Sequence, residues 1–317
     1  MAKTKSKRIT SIGGQALIEG IMMRGPQKTA AAFVSHDGKV TAETFEVKTL
    51  REKYRILNLP LLRGTVTLID SLRIGMKMLN TAADRYMEDV GEEEEPGRFE
   101  AWLNRVFGEK VMDVMMSAAT VLALILAVVL FVFLPSLAGQ GLDFLLNGHL
   151  GGWRSVFEGV LRVAIFVGYV GLCSLIPDVR RTFEFHGAEH KTIFCYENEL
   201  PLTVENVRIQ SRFHPRCGTS FLMLTLIVGI VIGFFIPFEN PFLRTGVKLL
   251  LIPVTMGVGY ELIRLCGKRD NWLTRIIAAP GLWVQRLTVK EPDDTMIRAA
   301  IAAMELVIPE NGEDLVG

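Results

Sequence analysis

The chain has 317 residues, of which 50% are hydrophobic, and its mean hydropathy is +0.32. This composition argues against a purely soluble protein and favours a polytopic membrane protein with soluble parts. The net charge is only +1, and no basic stretch is interleaved with aromatic side chains. We therefore expect no nucleic-acid partner.

The first 58 residues predict a small β-rich module. Residues 29–35 and 40–47 are rich in Val, Phe and Thr, and Asp37-Gly38 between them is a hairpin signal. The glycine-rich stretch at residues 13–26 matches no phosphate-binding loop and carries one carboxylate, Glu19. We interpret it as structural, with lining of a substrate site as the second choice.

Residues 59–110 predict amphipathic helices and an acidic linker. Apolar residues recur at helical spacing between residues 60 and 84, with Arg63, Arg73 and Lys77 between them. Such a helix lies in the membrane surface or, equally well, packs on the small sheet. The acidic run at residues 92–95 marks a boundary, and residues 99–107 predict a short interfacial helix.

Residues 111–267 predict a membrane domain with four spans. The second span must extend back through Arg162 and Glu158, which could neutralise each other at i,i+4 spacing, and the fourth must accept Lys248. The apolar runs on which the four spans rest are residues 114–134, 163–177, 217–238 and 249–260.

The distribution of basic residues predicts the orientation of these spans. The stretches between spans one and two and between spans three and four lack Lys and Arg, whereas residues 178–216 contain six. We therefore predict a multi-pass protein of the inner (plasma) membrane, with both termini and the 178–216 loop in the cytoplasm. The four cysteines then lie in or near a reducing compartment, and no disulfide is expected.

The most informative motif is HGAEH at residues 186–190, inside that cytoplasmic loop. If the stretch is helical, His186 and His190 share one face and can bind one metal ion. Glu189 beside them can take a proton from the attacking water, as in the inverted zincin arrangement. The motif thus predicts a metal site with Glu189 as the catalytic base, and zinc is the expected ion, with another divalent metal possible.

The remaining metal ligands are open at this stage. A catalytic site needs one more ligand and an open position, and His214 or Glu261 can supply that ligand. A structural site would instead close around His186, His190, His214 and Cys217.

A third alternative involves no metal. The two histidines then form hydrogen bonds within the loop, and Glu189 pairs with Lys191 or Arg181. Glu261 in turn can pair with Arg264 or with an arginine of the loop.

Residues 268–317 predict an interfacial segment followed by a helix. Trp272 and Trp283 lie in an apolar stretch that Pro280-Gly281 interrupts. A helix from Thr295 to about Val307 follows, capped by the acidic residues before it.

Several motifs together resemble one known family, the YqhQ-like family of bacterial membrane proteins with plastid relatives. The resemblance covers nearly the whole chain, and it implies a membrane protein that is labelled a predicted metal-dependent enzyme without an established reaction. The motifs that carry it are residues 13–26, LLRG at 61–64, FHGAEHK at 185–191, FHPRCGTS at 213–220, ELIR at 261–264 and QRLT at 285–288, followed by EPDD at 291–294.

The sequence as a whole predicts a mainly α, polytopic membrane protein with a small N-terminal α+β module. The expected function is a zinc-dependent, peptidase-like hydrolase at the cytoplasmic membrane surface, in contact with membrane lipids. Its substrate is expected to be a membrane-proximal peptide or a lipid-linked molecule. The alternative is a non-enzymatic scaffold or assembly factor, and a transporter using Lys248 and Glu261 is the weakest alternative.

Overall fold

The computed structural model describes residues 8–47, 50, 54–59, 62–91, 111–268 and 271–315. It is mainly helical, with one four-stranded antiparallel sheet. The strands are β1 (Gly13–Leu17), β2 (Gly20–Arg24), β3 (Thr29–Val34) and β4 (Val40–Phe45). The α-helices are α1 (Leu62–Val90), α2 (Val111–Val128), α3 (Leu134–Leu145), α4 (Trp153–Cys173), α5 (Pro177–Glu197), α6 (Val204–Arg208), α7 (Gly218–Gly233), α8 (Pro241–Leu250), α9 (Ile252–Lys268), α10 (Trp272–Thr288) and α11 (Asp294–Glu305).

The chain divides into two compact units. Unit 1 contains Met1–Val90, Val167–Val228 and Pro253–Gly317, so its three segments are far apart in the sequence. Unit 2 contains Gly91–Phe166 and Gly229–Ile252. The predicted interfacial helix at residues 99–107 and the acidic run at 92–95 lie outside the described residues.

The sheet of unit 1 consists of consecutive hairpins in the order β1-β2-β3-β4. The predicted sheet around Asp37-Gly38 is confirmed, because β3 pairs with β4 from Thr29↔Phe45 to Val34↔Val40. The glycine-rich stretch forms the preceding hairpin, β1 and β2, with Glu19 in the turn at a φ of 42°. The sequence pattern does not predict this hairpin, because the glycines and the alanine of β1 have a low preference for strands.

The two faces of the sheet bury different helices, because side chains alternate along each strand. Ile21 and Met23 of β2 lie in a core with Phe185 of α5 and Met304 of α11. Met22, between them, lies in the core on the opposite face, which also contains residues of α1. Helix α5 is thereby held against the sheet, and this contact positions the histidine motif.

Helix α1 packs on the sheet through Ile74, Met78 and Ala82, which are nearly inaccessible to solvent. Its length exceeds the predicted helix at its C-terminal end. Leu72 and Met76 are exposed on the same helix. The helix therefore packs on the sheet, as one sequence alternative predicted, and also leaves apolar side chains uncovered.

Two of the described helical segments are long and apolar enough to cross a membrane, Ser117–Leu145 and Trp153–Cys173. A third span results if the pair Pro241–Leu250 and Ile252–Gly267, bent by 51°, counts as one. The third predicted span corresponds to α7, which is apolar but has only 16 residues, and the fourth falls within the bent pair. The described helices therefore support a membrane protein with two or three candidate spans.

Unit 2 buries a cluster of charges around Glu158, which is 2% exposed. Arg154 Nε and Arg244 Nε lie 3.0 and 3.1 Å from its carboxylate, and Lys248 pairs with the same group. Arg162, the expected partner of Glu158, is not among these ion pairs, and its Nε donates to the Phe131 carbonyl at 2.6 Å. Lys248 thus has a structural partner, which weakens the transporter alternative.

Candidate metal centre

The histidine motif lies in the middle of α5, as the helical interpretation of the sequence required. Pro177 occupies the first turn, where its missing N–H costs nothing. The negative charge of Asp178 also lies in this turn and stabilises the positive end of the helix dipole. The imidazole rings of His186 and His190 have centroids 4.4 Å apart. A Cβ on Gly187 would lie 1.9 Å from the Lys290 carbonyl oxygen, so only glycine permits this close approach.

Backbone carbonyls orient both imidazoles in the same way. The Nδ1 of His186 lies 3.0 Å from the Thr288 carbonyl oxygen, and the Nδ1 of His190 lies 2.6 Å from that of Arg212. With Nδ1–H donating to a carbonyl, each ring presents the lone pair of Nε2 to a metal. These carbonyl partners could not be predicted from the sequence, since any residue type can provide a carbonyl.

Cys217 completes a group of three ligand atoms. Its Sγ lies 3.1 Å from His186 Nε2 and 3.3 Å from Thr219 Oγ1. Its carbonyl accepts the N–H of Phe221 at 3.1 Å, so the residue caps the N-terminus of α7, where the helix dipole favours a thiolate. Cys217 was predicted only as a member of the closed structural site.

The charges of this group stabilise a thiolate beside an imidazolium. Burial alone would raise the pKa of Cys217, but the positive charges of His186 and His190 hold it well below its ordinary value. Burial likewise would lower the pKa of His186, but the Cys217 thiolate and Glu189 raise it to about 9. A metal cation would replace the proton as the positive partner of the thiolate.

The donor set fits a divalent metal such as zinc. One ligand atom from each of His186, His190 and Cys217 lies within 4.8 Å of the other two. Ligand atoms about 2.0–2.3 Å from a tetrahedral zinc ion are roughly 3.3–3.8 Å apart, so the group is close to that geometry. Two imidazoles and one thiolate are also the ligand types that zinc prefers.

Glu189 lies next to this group and is held by the sheet. Its Oε1 accepts the N–H of Gly14 at 2.9 Å, and the residue is 7% exposed. A Cβ on Gly14 would lie 3.0 Å from the Glu189 carboxyl carbon, so glycine lets the carboxylate approach β1. Burial raises the pKa of Glu189 above its ordinary value, although His186 and His190 oppose the shift. A raised pKa makes this carboxylate a better proton acceptor than an ordinary glutamate.

Glu189 does not form the ion pairs expected for a metal-free loop. Lys191 Nζ lies 2.7 Å from a carboxylate oxygen of Glu291, and Arg181 pairs with Glu19. Both cations that the sequence offered to Glu189 thus have other partners. The carboxylate is bound by the Gly14 N–H and lies in the field of the two histidines.

The structure brings neither His214 nor Glu261 into the group of three. His214 lies with its Nε2 3.8 Å from Glu197, and its ring centroid is 5.5 Å from that of His190. Glu261 forms a bidentate pair with Arg63, whose Nε lies 2.6 Å from its Oε1. Neither Arg264 nor an arginine of residues 178–216 forms this bidentate pair, since Arg63 belongs to α1.

The His214 side chain belongs to a buried network with Glu197 and Arg216. Burial lowers the pKa of His214 to about 4, with a further contribution from Arg216, while Glu197 opposes. Burial would raise the pKa of Glu197, but the hydrogen bond with His214 and the charge of Arg216 lower it to about 2. His214 is thus held neutral and Glu197 ionised at neutral pH.

Acid is expected to destabilise unit 1 through this network. His214 binds its proton near pH 6.5 when unfolded but only near pH 4 when folded, so stability falls as the pH drops through that window. Glu197 adds a second loss between pH 4.5 and about 2, because its folded pKa is also depressed. Each of these two pKa shifts corresponds to at most about 3 kcal/mol of unfolding free energy.

The measurement is the thermal unfolding midpoint in detergent between about pH 8 and about pH 3. His214→Asn should flatten the decline above pH 4.5, and His36→Asn, an exposed histidine, should leave it unchanged. A midpoint of the native protein that stays constant down to pH 4 would contradict the role of His214.

A cavity of about 860 Å³ opens beside this candidate metal centre within unit 1. Cys217 and Gly14 line it, so both the candidate thiolate ligand and the strand whose N–H binds Glu189 border the same space. A volume of this size accommodates an organic ligand. A metal held by the three ligand atoms would have room on this side for water or substrate.

Comparison with known proteins identifies the class of protein to which this fold and cluster belong. A family described as "Protein of unknown function (DUF1385)" matches residues 59–310. The chain therefore belongs to this family, as the motif resemblance indicated. It is similar to the "Uncharacterized protein YqhQ" of Bacillus subtilis (strain 168), with 33% identity over 299 residues, 94% of this chain and 92% of the relative. No solved structure is significantly similar to it.

Proposed function

We propose that the protein is a metal-dependent hydrolase that works at the cytoplasmic surface of the plasma membrane. His186, His190 and Cys217 are the metal ligands, and Glu189 is the catalytic base. The observation that carries the proposal is that the three ligand atoms converge beside a buried carboxylate, and that one of them lines a cavity. A closed site of four protein ligands is disfavoured, since His214 is engaged with Glu197.

In this proposal a bound divalent metal supplies a Lewis acid that polarises the scissile carbonyl or phosphoryl oxygen. The Glu189 carboxylate takes a proton from the attacking water and then donates it to the leaving group as the scissile bond breaks. The Gly14 N–H fixes the carboxylate while leaving Oε2 for the proton. The Thr288 and Arg212 carbonyls keep both imidazoles in the tautomer that binds metal.

The membrane location rests on the two or three candidate spans and on the exposed side of α1. Leu62, Ile69, Leu72 and Met76 are uncovered there, and Arg73 and Lys77 lie on the same helix. Apolar and basic side chains together are typical of a helix at a lipid surface. The lipid partners, the four-span topology and the cytoplasmic termini are parts of the same proposal.

The decisive experiment is metal removal and reconstitution. The purified protein in detergent is assayed for bound metal and for turnover of chromogenic amide, ester and phosphoester substrates, before and after treatment with a chelator. We expect zinc or another divalent metal at about one per chain, and turnover that disappears with the metal and returns with it. Equal turnover of the metal-free protein would refute the proposal, and metal binding without turnover would favour the scaffold alternative.

A further inference from the structure

The cavity beside Cys217 has walls of two different kinds, both within unit 1. One wall consists of strand residues at the open end of the β1/β2 hairpin, including Gly13 and Arg24. The other consists of helical residues, among them Leu68 of α1, Phe221 of α7 and Ile263 of α9. Helix α9 belongs to the bent candidate span, and α7 is a shorter apolar helix. A ligand in this space meets a strand end with Arg24 on one side. On the other side it meets these apolar side chains, interspersed with polar ones such as Thr67 and Ser71.

Three charged side chains line this cavity, and Arg24 is the one that can bind a charged ligand. It ends β2 and lies on the same sheet face as Met22, which also lines the cavity. No carboxylate in the described part of the chain lies within ion-pair distance of it.

The other two charged groups of the lining are already satisfied. Asp70 accepts the N–H of Leu50 with both oxygens at 3.1 Å. Arg216 pairs with Glu197 and donates to the Thr10 carbonyl at 2.6 Å. A half-buried guanidinium without an acidic partner favours an anionic ligand, because the arginine fork matches a phosphate or carboxylate.

We propose that this cavity binds an amphiphile with a phosphate head group, whose phosphate contacts Arg24 and whose hydrocarbon part packs on Leu68, Phe221 and Ile263. The unpaired cation matches the phosphate, and the three apolar side chains of the helical wall match the hydrocarbon part. The assignment of such an amphiphile as substrate rests on the proposed function, whereas its binding does not. The scissile bond would lie near the head group, on the side of the cavity that Cys217 lines.

The test uses the metal-free full-length protein in amphipol and measures binding of radiolabelled dodecyl phosphate. We expect saturable binding that unlabelled dodecyl phosphate displaces and that neither dodecanol nor inorganic phosphate matches. Arg24→Gln should weaken it about 10- to 100-fold, the effect of losing a hydrogen-bonded charge. Arg298→Gln, which removes an exposed arginine of α11 that donates to the Thr295 hydroxyl, is the matched control and should bind as the native protein does.

A second variant protects the test against a folding defect at Arg24. Leu68→Trp fills the cavity and leaves Arg24 in place, so it should weaken binding as well, with dodecyl phosphate and dodecanol affected alike. Unchanged binding in Arg24→Gln, equal binding of dodecanol to the native protein, or displacement by a neutral apolar peptide would each overturn the proposal. Because no metal is present, these results stand whether or not the protein hydrolyses any substrate.

Discussion

Replacing Glu189 with glutamine is expected to leave metal binding almost unchanged and to lower kcat by about 10²–10⁴-fold, the usual contribution of a general base. Glutamine has the same shape, and its carbonyl oxygen can still accept the Gly14 N–H that Glu189 accepts at 2.9 Å. It cannot take up a proton from water. The measurement is metal content together with turnover of whichever chromogenic substrate the native protein hydrolyses.

The control for this variant is Glu184→Gln on the same helix. Glu184 pairs with the exposed Arg180 over 3.4 Å and makes no contact with the metal ligands among the interactions of the described residues. Its replacement should change neither metal content nor turnover. Native turnover in Glu189→Gln would exclude this carboxylate as the base, whereas loss of the metal would mean that Glu189 is itself a ligand.

The core of the candidate centre was accessible from sequence because it depends on helical periodicity. Two histidines four residues apart necessarily share a face once the segment is helical, and Glu189 then lies beside them. The third member was harder, because Cys217 is 27 positions beyond His190 and approaches only through the start of α7. The sequence offered His214 or Glu261 to a catalytic site and Cys217 with His214 to a closed site, and it could not decide between them.

These three candidates are separated by which charged side chains pair with each other, and a sequence does not display such pairs. Arg63 of α1 reaches Glu261 across 198 positions, and Arg216 together with His214 occupies Glu197. The hydrogen bond from Gly14 to Glu189 is equally non-local, with 175 positions between them. Such contacts depend on how the sheet packs against α5, so local patterns carry no signal for them.

The fold was predictable where patterns are strong and local. The hairpin at Asp37-Gly38, the amphipathic helix α1 and the capped helix α11 all follow from turn, periodicity and capping signals. Spans were less certain, because apolar length alone does not say whether a bent pair such as α8 and α9 crosses once. The β1/β2 hairpin escaped prediction since small residues fit strands, turns and loops equally well.

Cys217→Ser is expected to weaken metal binding by at least about 100-fold, because even the loss of an outer-shell partner costs 10–100-fold. A serine hydroxyl stays protonated at neutral pH and is a poor ligand for zinc compared with a thiolate. The same change removes the negative charge that raises the pKa of His186 to about 9, so this pKa should fall in the metal-free protein. Competition with a chromogenic chelator measures the first effect, and NMR titration of the imidazole measures the second.

Cys266→Ser is the matched control for this substitution. The Cys266 thiol donates to the Thr274 carbonyl at 3.5 Å, a contact that a serine hydroxyl can replace. We expect native metal affinity in this variant, because Cys266 does not belong to the group of His186, His190 and Cys217. If Cys217→Ser bound metal as tightly as the native protein while the pKa of His186 fell, the thiolate would be a partner of the histidine in the metal-free state only. The third metal ligand would then have to come from Glu189, and the assignment of that carboxylate as a base would fail with it.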